Sequence, residues 1–120
     1  MQPVEINAGA WYLRSLRADD RITDVPALSL LGVDAPGDYV AKANADWESE
    51  THFVWAICIP TTGELIALIG VTPYGDSGRL WGQAREGYDE ALDAAIGPAS
   101  RFAEGALGLV VEQPLSHGVR

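Results

Sequence analysis

Two apolar segments joined by a short turn constrain the fold of this chain more than any other feature. Residues 52–59 are apolar at nearly every position, which is typical of a strand buried on both faces of a sheet. Pro60-Thr61-Thr62-Gly63 has the composition of a turn, and residues 64–71 are apolar again. The pattern predicts an antiparallel hairpin inside a sheet, in which residues 53–59 pair with residues 65–71.

The rest of the chain alternates strand and helix patterns, which predicts an α/β (α+β) fold. Residues 36–50 begin with a proline and carry apolar residues at helical spacing. Residues 88–107 carry an apolar stripe that keeps its phase across Gly97-Pro98, so we expect one long, kinked helix there. Residues 1–10 are predicted as an irregular lead-in and residues 11–17 as a strand. A short helix capped by Asp19 or Asp20 is predicted to run to Leu31, with a second turn that starts at Pro26 and is capped by Thr23 or Asp24. The remaining predictions are a loop over 72–87 with a short strand at 79–83, a strand over 109–112 and a frayed tail over 114–120.

Length and charge limit the classes of function. The 120 residues, 48% of them hydrophobic, are enough for a single domain over 1–120 with its own core. A formal net charge of −9 repels phosphate backbones, so no nucleic-acid partner is expected. No apolar run approaches the roughly 18 residues of a membrane helix, and the N-terminus lacks a signal-peptide pattern. We therefore expect no membrane partner and a cytoplasmic location.

Few residues are suited to metal or nucleophilic chemistry. Cys58 is the only cysteine, so no internal disulfide can form. It lies in an apolar segment, where a small core residue is expected rather than a nucleophile. His52 and His117 are the only histidines, and they are isolated from each other and from clustered acids. No metal site is therefore predicted.

Four segments carry a recognisable order of motifs: WYLRSLRADD (residues 11–20), WAICIPTTGELI (55–66), EAL (90–92) and RFAEGALGL (101–109). In that order they resemble the GCN5-related N-acetyltransferase (GNAT) superfamily. The first resembles its opening strand and helix cap, the second its second and third strands, and the last two its long helix and the exit from it. The resemblance covers about residues 11–112. It implies a mixed, mostly antiparallel sheet with flanking helices, and a site for acetyl-CoA where the long helix begins.

The cofactor motif of that family is altered here. The family places Gln or Arg, then two residues, Gly, one residue, and Gly or Ala at the start of the long helix, where backbone N–H groups bind the pyrophosphate. The candidate cofactor-binding residues are Gln83, Arg85 and Gly87, but Gly87 falls one position late and Tyr88 follows it. Three carboxylates that would oppose a pyrophosphate stand nearby: Glu86, Asp89 and Glu90. We therefore expect the protein to bind no cofactor. Acetyl-CoA would be its cofactor only if it were, alternatively, an N-acetyltransferase.

The C-terminal part of the family pattern is missing. In the family the strand after the long helix is followed by another helix and two strands, and that helix commonly supplies a tyrosine that protonates the leaving thiolate. This sequence ends at Arg120, with no tyrosine beyond Tyr88, so we expect a fold shortened at its C-terminus. An apolar edge at Leu107, Leu109 and Val111 would then need cover, which predicts a homodimer.

Aromatic residues are the main candidates for a ligand site. Four tryptophans in 120 residues exceed ordinary usage, and a buried indole N–H needs a partner, so such rings often line clefts. The candidate ligand-binding residues are Tyr12, Trp55, Tyr74, Trp81 and Tyr88, although Trp55 also suits the core. Glu64, directly after the turn, and Tyr74, in the Gly-rich segment, are the candidate catalytic residues.

Three functions are compatible with the sequence. The first is a repurposed GNAT-like fold that binds a small, largely apolar molecule, or converts it as a cofactor-independent cyclase or isomerase, without acetyl transfer. The second is a small acetyl-CoA-dependent N-acetyltransferase that is completed by dimerisation. The third is a non-catalytic module that pairs with another protein through an open sheet edge. Binding of acetyl-CoA would separate the second function from the other two.

Overall fold

The described part of the chain folds around one six-stranded sheet in which the strands follow the order of the sequence. The computed structural model describes residues 1–118, apart from the side chains of Gln113, Pro114 and Ser116. The strands are β1 (Ile6–Ala8), β2 (Trp11–Arg14), β3 (Phe53–Cys58), β4 (Leu65–Tyr74), β5 (Ser77–Ala84) and β6 (Val110–His117), and the helices are α1 (Val25–Leu30), α2 (Pro36–Ser49) and α3 (Asp89–Gly105). Neighbouring strands are antiparallel except β5 and β6, which are parallel. The mixed, mostly antiparallel sheet is therefore confirmed.

The central hairpin forms as the sequence predicts. β3 pairs with β4 from Phe53 opposite Val71 to Cys58 opposite Leu65, and every residue of β3 is buried. Because side chains alternate across a strand, β3 contributes to two cores. Phe53, Trp55 and Ile57 pack in the core that includes α3, and Val54, Ala56 and Cys58 pack in the core that includes α1 and α2.

Trp47, near the end of α2, joins these two layers. β2 pairs only with residues 56–58 of β3, so the backbone of Val54 lies beyond the end of β2. The indole Nε1 of Trp47 donates to the Val54 carbonyl at 2.9 Å. Its ring meets those of Phe53, Trp55 and Phe102 edge to face, at centroid distances of 5.1, 5.2 and 5.8 Å. We call these four rings the aromatic cluster. Each edge-to-face contact stabilises the folded state by about 0.5–1.5 kcal/mol beyond the burial of the ring surfaces.

The irregular lead-in predicted over residues 1–10 is wrong for residues 6–8, whereas residues 1–5 are irregular. Ile6–Ala8 forms β1 and pairs with β2 through a two-residue turn, in which Gly9 has a φ of +66°. A glycine at the first turn position is what such a hairpin requires, since the residue there takes a positive φ. β1 has only three residues, too few to show an alternating pattern in the sequence.

The loop predicted over residues 72–87 is wrong for most of its length, although residues 75–76 and 85–87 lie outside strands and the short strand predicted at 79–83 falls within β5. β4 continues to Tyr74 and β5 runs from Ser77 to Ala84, so the two strands form a long hairpin. Two of the glycines that suggested a loop, Gly78 and Gly82, lie where another side chain crosses the strand. A Cβ on Gly82 would lie 2.5 Å from a methyl of Leu92, and one on Gly78 would lie 3.2 Å from Leu109. At these two positions glycine allows a side chain to pack closely on the strand, and it does not mark a turn.

A buried ion pair sets where β2 ends and α1 begins. The Arg14 guanidinium donates to both carboxylate oxygens of Asp24, at 2.9 and 2.8 Å, and to the Gly63 carbonyl. Burial opposes the charged form of Arg14, but these bonds raise its pKa above the ordinary range. The predicted strand over 11–17 therefore stops at Arg14. Asp24 stands at the start of α1 without capping it, and Asp19 accepts from Arg21 and Ile22 in a turn instead of starting a helix.

α3 and β6 complete the sheet. α3 runs without interruption through Pro98, as predicted, and β6 extends to His117, so the frayed tail is wrong for residues 114–117; residues 119–120 lie outside the described residues. Leu109 is 9% exposed, and Leu107 and Val111 pack against the core of their own chain. The homodimer prediction therefore loses the apolar edge on which it was based. Within residues 1–118, no helix is long and apolar enough to cross a membrane.

Replacement of Phe102 by alanine tests the aromatic cluster. Phe102 lies 5.2–6.0 Å from the rings of Trp55, Phe53 and Trp47, so the change should lower the free energy of unfolding by about 3 kcal/mol, measured by urea denaturation. Glu104→Ala, on the exposed face of the same helix, should change it by less than about 0.5 kcal/mol. A loss below about 1 kcal/mol for Phe102→Ala would show that the ring does not help to hold α3 on the sheet.

The pH dependence of stability tests the burial of Cys58. Burial raises the pKa of this thiol from 9.0 to about 12. Above pH 9 the thiol ionises in the unfolded chain but stays protonated in the fold, which favours unfolding. The contribution of Cys58 to stability is therefore complete below pH 9 and is lost as the pH rises towards 12. Between pH 8 and pH 10.5 the free energy of unfolding should fall by about 2 kcal/mol more in this protein than in a Cys58→Ala variant. Equal losses in urea titrations of the two chains would contradict this.

Candidate functional site

The segment that resembles the cofactor motif is occupied by contacts within the chain. Gln83 lies in β5, and its side chain donates to the Leu31 carbonyl at 3.0 Å. The Arg85 N–H donates to the Ile66 carbonyl, and the Arg85 guanidinium forms an ion pair with Glu64. Gly87 has a φ of +87° in a turn closed by a hydrogen bond from the next N–H to the Arg85 carbonyl. The side chains of Gln83 and Arg85 are therefore both engaged in contacts within the chain.

The start of α3 is acidic and needs no ligand to explain it. Asp89 and Glu90 form its first turn, where carboxylates interact favourably with the helix dipole. The ring of Tyr88 packs edge to face on Trp11 at 6.3 Å.

Glu64 and Arg85 also line a pocket of about 390 Å³ at this end of the sheet, which we call the sheet-end pocket.

The two parallel strands do not separate along the part of β5 that they share. Pairing runs from Ser77 opposite Val110 to Gly82 opposite His117, with one register shift between Arg79 and Trp81. A hydrogen bond from the Gly118 N–H to the Gly82 carbonyl, at 2.9 Å, extends it. β6 therefore occupies the outer edge of β5 almost to the end of that strand.

The aromatic candidates do not converge on one site. Trp55 is buried in the aromatic cluster, and its Nε1 donates to the Val4 carbonyl at 2.8 Å. Tyr74 is 54% exposed and lies under the Arg79 guanidinium, 5.0 Å from it. Tyr12 is half-buried against the core that includes α1 and α2, and Tyr88 contacts Trp11 on β2. The candidate catalytic pair is also divided, because Glu64 and Tyr74 flank opposite ends of β4, about 30 Å apart.

Trp81 is the aromatic candidate that lines a cavity. A cavity of about 200 Å³ lies between α2 and the sheet, and we call it the α2 pocket. Its lining residues are Tyr39, Lys42, Ala43 and Asp46 from α2, His52 and Val54 from the start of β3, and Trp81 from β5. The four α2 residues are spaced i, i+3, i+4 and i+7, so they share one helix face. That spacing is visible in the sequence and could have pointed to the site, but its mixture of charged and apolar residues is typical of any amphipathic helix.

The floor of the α2 pocket depends on a close approach of Trp81 to Gly70. These residues are paired across β4 and β5, and Gly70 is paired with Val54 on its other side. A Cβ on Gly70 would lie 2.7 Å from the indole Nε1, so the ring rests on a strand that has no side chain at this point. The indole thereby reaches from β5 across β4 towards Val54.

The indole N–H of Trp81 differs from the other buried indoles. Trp81 is 1% exposed, and its Nε1 is buried without a hydrogen-bond partner among the described residues. Trp47 and Trp55 are equally buried, but both donate to backbone carbonyls. An unbonded buried N–H costs about 1–3 kcal/mol, and such an atom in a native fold needs an explanation.

The rim of the α2 pocket is polar but electrically balanced. Lys42 donates to Asp46 at 2.8 Å, and Thr51 donates to the other oxygen of the same carboxylate at 3.3 Å. His52 Nδ1 lies 3.7 Å from Asp46, too far for a hydrogen bond, and has no partner among the described residues. Burial and the Asp46 charge raise the pKa of Tyr39 to about 12, so its phenol is neutral at physiological pH. No three His, Cys, Asp or Glu side chains in residues 1–118 come together as metal ligands.

Replacement of Gly70 by alanine tests the floor of the pocket. The new methyl group would overlap the Trp81 ring, so the free energy of unfolding should fall by about 3 kcal/mol. Gly37→Ala is the matched control, because Gly37 lies in α2 with open space around it, and it should leave stability unchanged or raise it by up to about 1 kcal/mol. Chemical denaturation of both variants provides the measurement. A cost below about 1 kcal/mol at Gly70 would mean that the indole is free to move aside.

Comparison with known proteins supports the architecture. The acetyltransferase from Agrobacterium tumefaciens str. C58 has a similar structure, with a TM-score of 0.64 and 21% sequence identity over 88% of this chain and 70% of that chain. No family model matches the sequence, and no curated protein matches it significantly. At this level of identity the likeness shows the fold and not the activity. The chain therefore has the GNAT-like fold that its sequence resembles.

Proposed function

We propose that this protein uses a GNAT-like fold to bind a small, largely apolar molecule, without acetyl transfer. The observation that carries the proposal is the pairing of β6 along the edge of β5. In acetyltransferases of this fold, the cofactor pairs with the backbone of the splayed strand before the long helix. Here that edge is used by the chain itself as far as Gly82.

The loop before α3 gives a second reason. A pyrophosphate would need a cation and free N–H groups, but Arg85 is held by Glu64, and two N–H groups of the loop are used within the fold. Glu86, Asp89 and Glu90 are exposed around the same point. Each carboxylate opposes a phosphate by roughly 1 kcal/mol or more before salt screening. The net charge of −9 opposes its approach as well.

Binding is proposed in preference to catalysis. A cyclase or isomerase needs an acid or a base within reach of the same substrate atoms. Glu64 is held in an ion pair with Arg85, whereas Tyr74 lies exposed at the far end of β4. In the α2 pocket the Asp46 carboxylate is already bonded to Lys42 and Thr51.

The second candidate function is an acetyl-CoA-dependent N-acetyltransferase. The structural likeness to the acetyltransferase from Agrobacterium tumefaciens str. C58 favours it, and so does the position of Gly87, in a left-handed turn just before α3. The first N–H groups of any helix are available to an anion. This candidate needs the rest of a cofactor cleft, which a second copy of the chain could supply.

Acetyl-CoA binding separates the two candidates. Because the strand edge and Arg85 are both engaged, we expect a dissociation constant no tighter than about millimolar in calorimetry, and no thiol release with amine substrates. Arg85→Ala should then have no effect, like its control Arg79→Ala on β5. A low-micromolar constant that Arg85→Ala weakens and Arg79→Ala does not would overturn the proposal and establish the acetyltransferase.

A further inference from the structure

We infer that the sheet-end pocket is the ligand site of this protein and that its ligand is a small apolar molecule that carries one carboxylate group. This inference rests on the proposed function and gives it a location and a ligand class. It follows from the size of the pocket, an exposed leucine in its wall and one arginine that pairs with no acid in the described part of the chain.

The sheet-end pocket has the size of a small-molecule site. It measures about 390 Å³, within the roughly 300–1,000 Å³ that is typical of such sites, whereas the α2 pocket measures only about 200 Å³. Its lining comes from three parts of the chain, namely residues within 21–30, residues 62–65 of the turn before β4, and Arg85 after β5. The pocket therefore combines an apolar helix, a polar turn and charged side chains.

One wall of the sheet-end pocket is apolar and includes a leucine that the fold does not bury. Leu30, the last residue of α1, lines the pocket and is 70% exposed, whereas Leu28 of the same helix is fully buried. Ile22, Pro26 and Ala27 also line the pocket. A ligand that covers Leu30 removes apolar surface from water, which favours binding. The ligand should therefore carry an apolar body.

The charged side chains of the sheet-end pocket leave one cation without an anion. Arg85 pairs with Glu64, and the Asp24 carboxylate receives two hydrogen bonds from Arg14. The remaining charged lining residue is Arg21, whose guanidinium has no ion pair or hydrogen bond within residues 1–118. Its side chain is exposed, so the guanidinium can turn towards a ligand in the pocket without losing a contact of the fold.

Neither carboxylate next to Arg21 in the sequence pairs with its guanidinium. Asp19 pairs with Arg17, and Asp20 is exposed and does not line the pocket. A guanidinium presents two parallel N–H donors, which match the two oxygens of a carboxylate. A phosphate dianion would bring a second negative charge for which the described pocket residues hold no free cation, in a protein of net charge −9. One carboxylate is therefore the group that fits Arg21.

Three probes of one shape test the ligand class by NMR titration of the ¹⁵N-labelled protein at neutral pH. 3-Phenylpropanoate carries the carboxylate, 3-phenylpropanamide is neutral, and 3-phenylpropylammonium carries the opposite charge. We expect the acid to move the backbone signals of Ile22 and Gly63 saturably and to bind about fivefold more tightly than the amide, the strength of one exposed ion pair. The ammonium should bind more weakly than the amide.

Two further titrations separate the charged and apolar contributions. The preference for the acid over the amide should fall towards onefold in about 0.5 M salt, because salt screens an exposed charge. Acetate, which has the carboxylate but no apolar body, should cause no saturable shift at the concentrations used for the acid.

Two pairs of variants, all at exposed side chains, locate the site. Arg21→Gln removes the charge at the pocket, so the preference for the acid should fall to about onefold while the amide still binds. Arg101→Gln makes the same change in net charge on α3, outside the pocket, and should keep the preference. Leu30→Gln should weaken the acid and the amide alike. Val110→Gln, at a side chain of similar exposure on β6, should leave both affinities unchanged.

The outcomes distinguish this inference from the proposed function. If the acid moves signals around Ala43 and Trp81 and leaves Ile22 and Gly63 unchanged, the ligand site is the α2 pocket, and the inference is wrong while small-molecule binding stands. Equal affinities for the three probes, or no saturable response to any of them, also overturn it, and neither result depends on a variant that folds. Low-micromolar binding of acetyl-CoA, with the Arg21-dependent preference for the acid unchanged, would overturn the proposed function and leave the sheet-end pocket assigned.

Discussion

The contact of Trp47 with β3 holds the two layers of this fold together. Its N–H bonds to a strand carbonyl beyond the end of β2, and its ring packs among Phe53, Trp55 and Phe102. α2 is thereby fixed at one end to the core on the far side of the sheet. Because α2 supplies four of the residues around the α2 pocket, the shape of that pocket depends on this contact as well.

The three buried indoles differ in how their N–H groups are bonded. Trp47 and Trp55 meet the requirement for a partner within the chain, so both are structural. Trp81 rests on Gly70 and has no such partner among the described residues. Its ring fills the space above a strand, and its N–H is buried.

Similarity of fold leaves the function open, because function depends on a few sites within it. The chain shares its overall fold with the acetyltransferase from Agrobacterium tumefaciens str. C58, as the structural likeness shows. Three local features of this chain bear on a cofactor: an arginine paired with Glu64, an acidic helix start and a parallel strand along β5. Each of these opposes a polyphosphate cofactor for a separate physical reason. The arginine is already paired with a carboxylate, the acidic residues repel phosphate, and the backbone edge of β5 is already hydrogen-bonded to β6.

The sequence by itself determined the central hairpin, α2, the unbroken course of α3 through Pro98 and the burial of Cys58, because apolar periodicity reports directly which face of a segment is buried. Only the tertiary structure decided the parts in which one segment makes room for another. The glycines at 78 and 82 look like loop residues until Leu109 and Leu92 are placed over them. Asp24 looks like a helix cap until Arg14 takes its carboxylate. The α2 pocket exists only because residues far apart in sequence meet around an indole, and no local pattern encodes such a meeting.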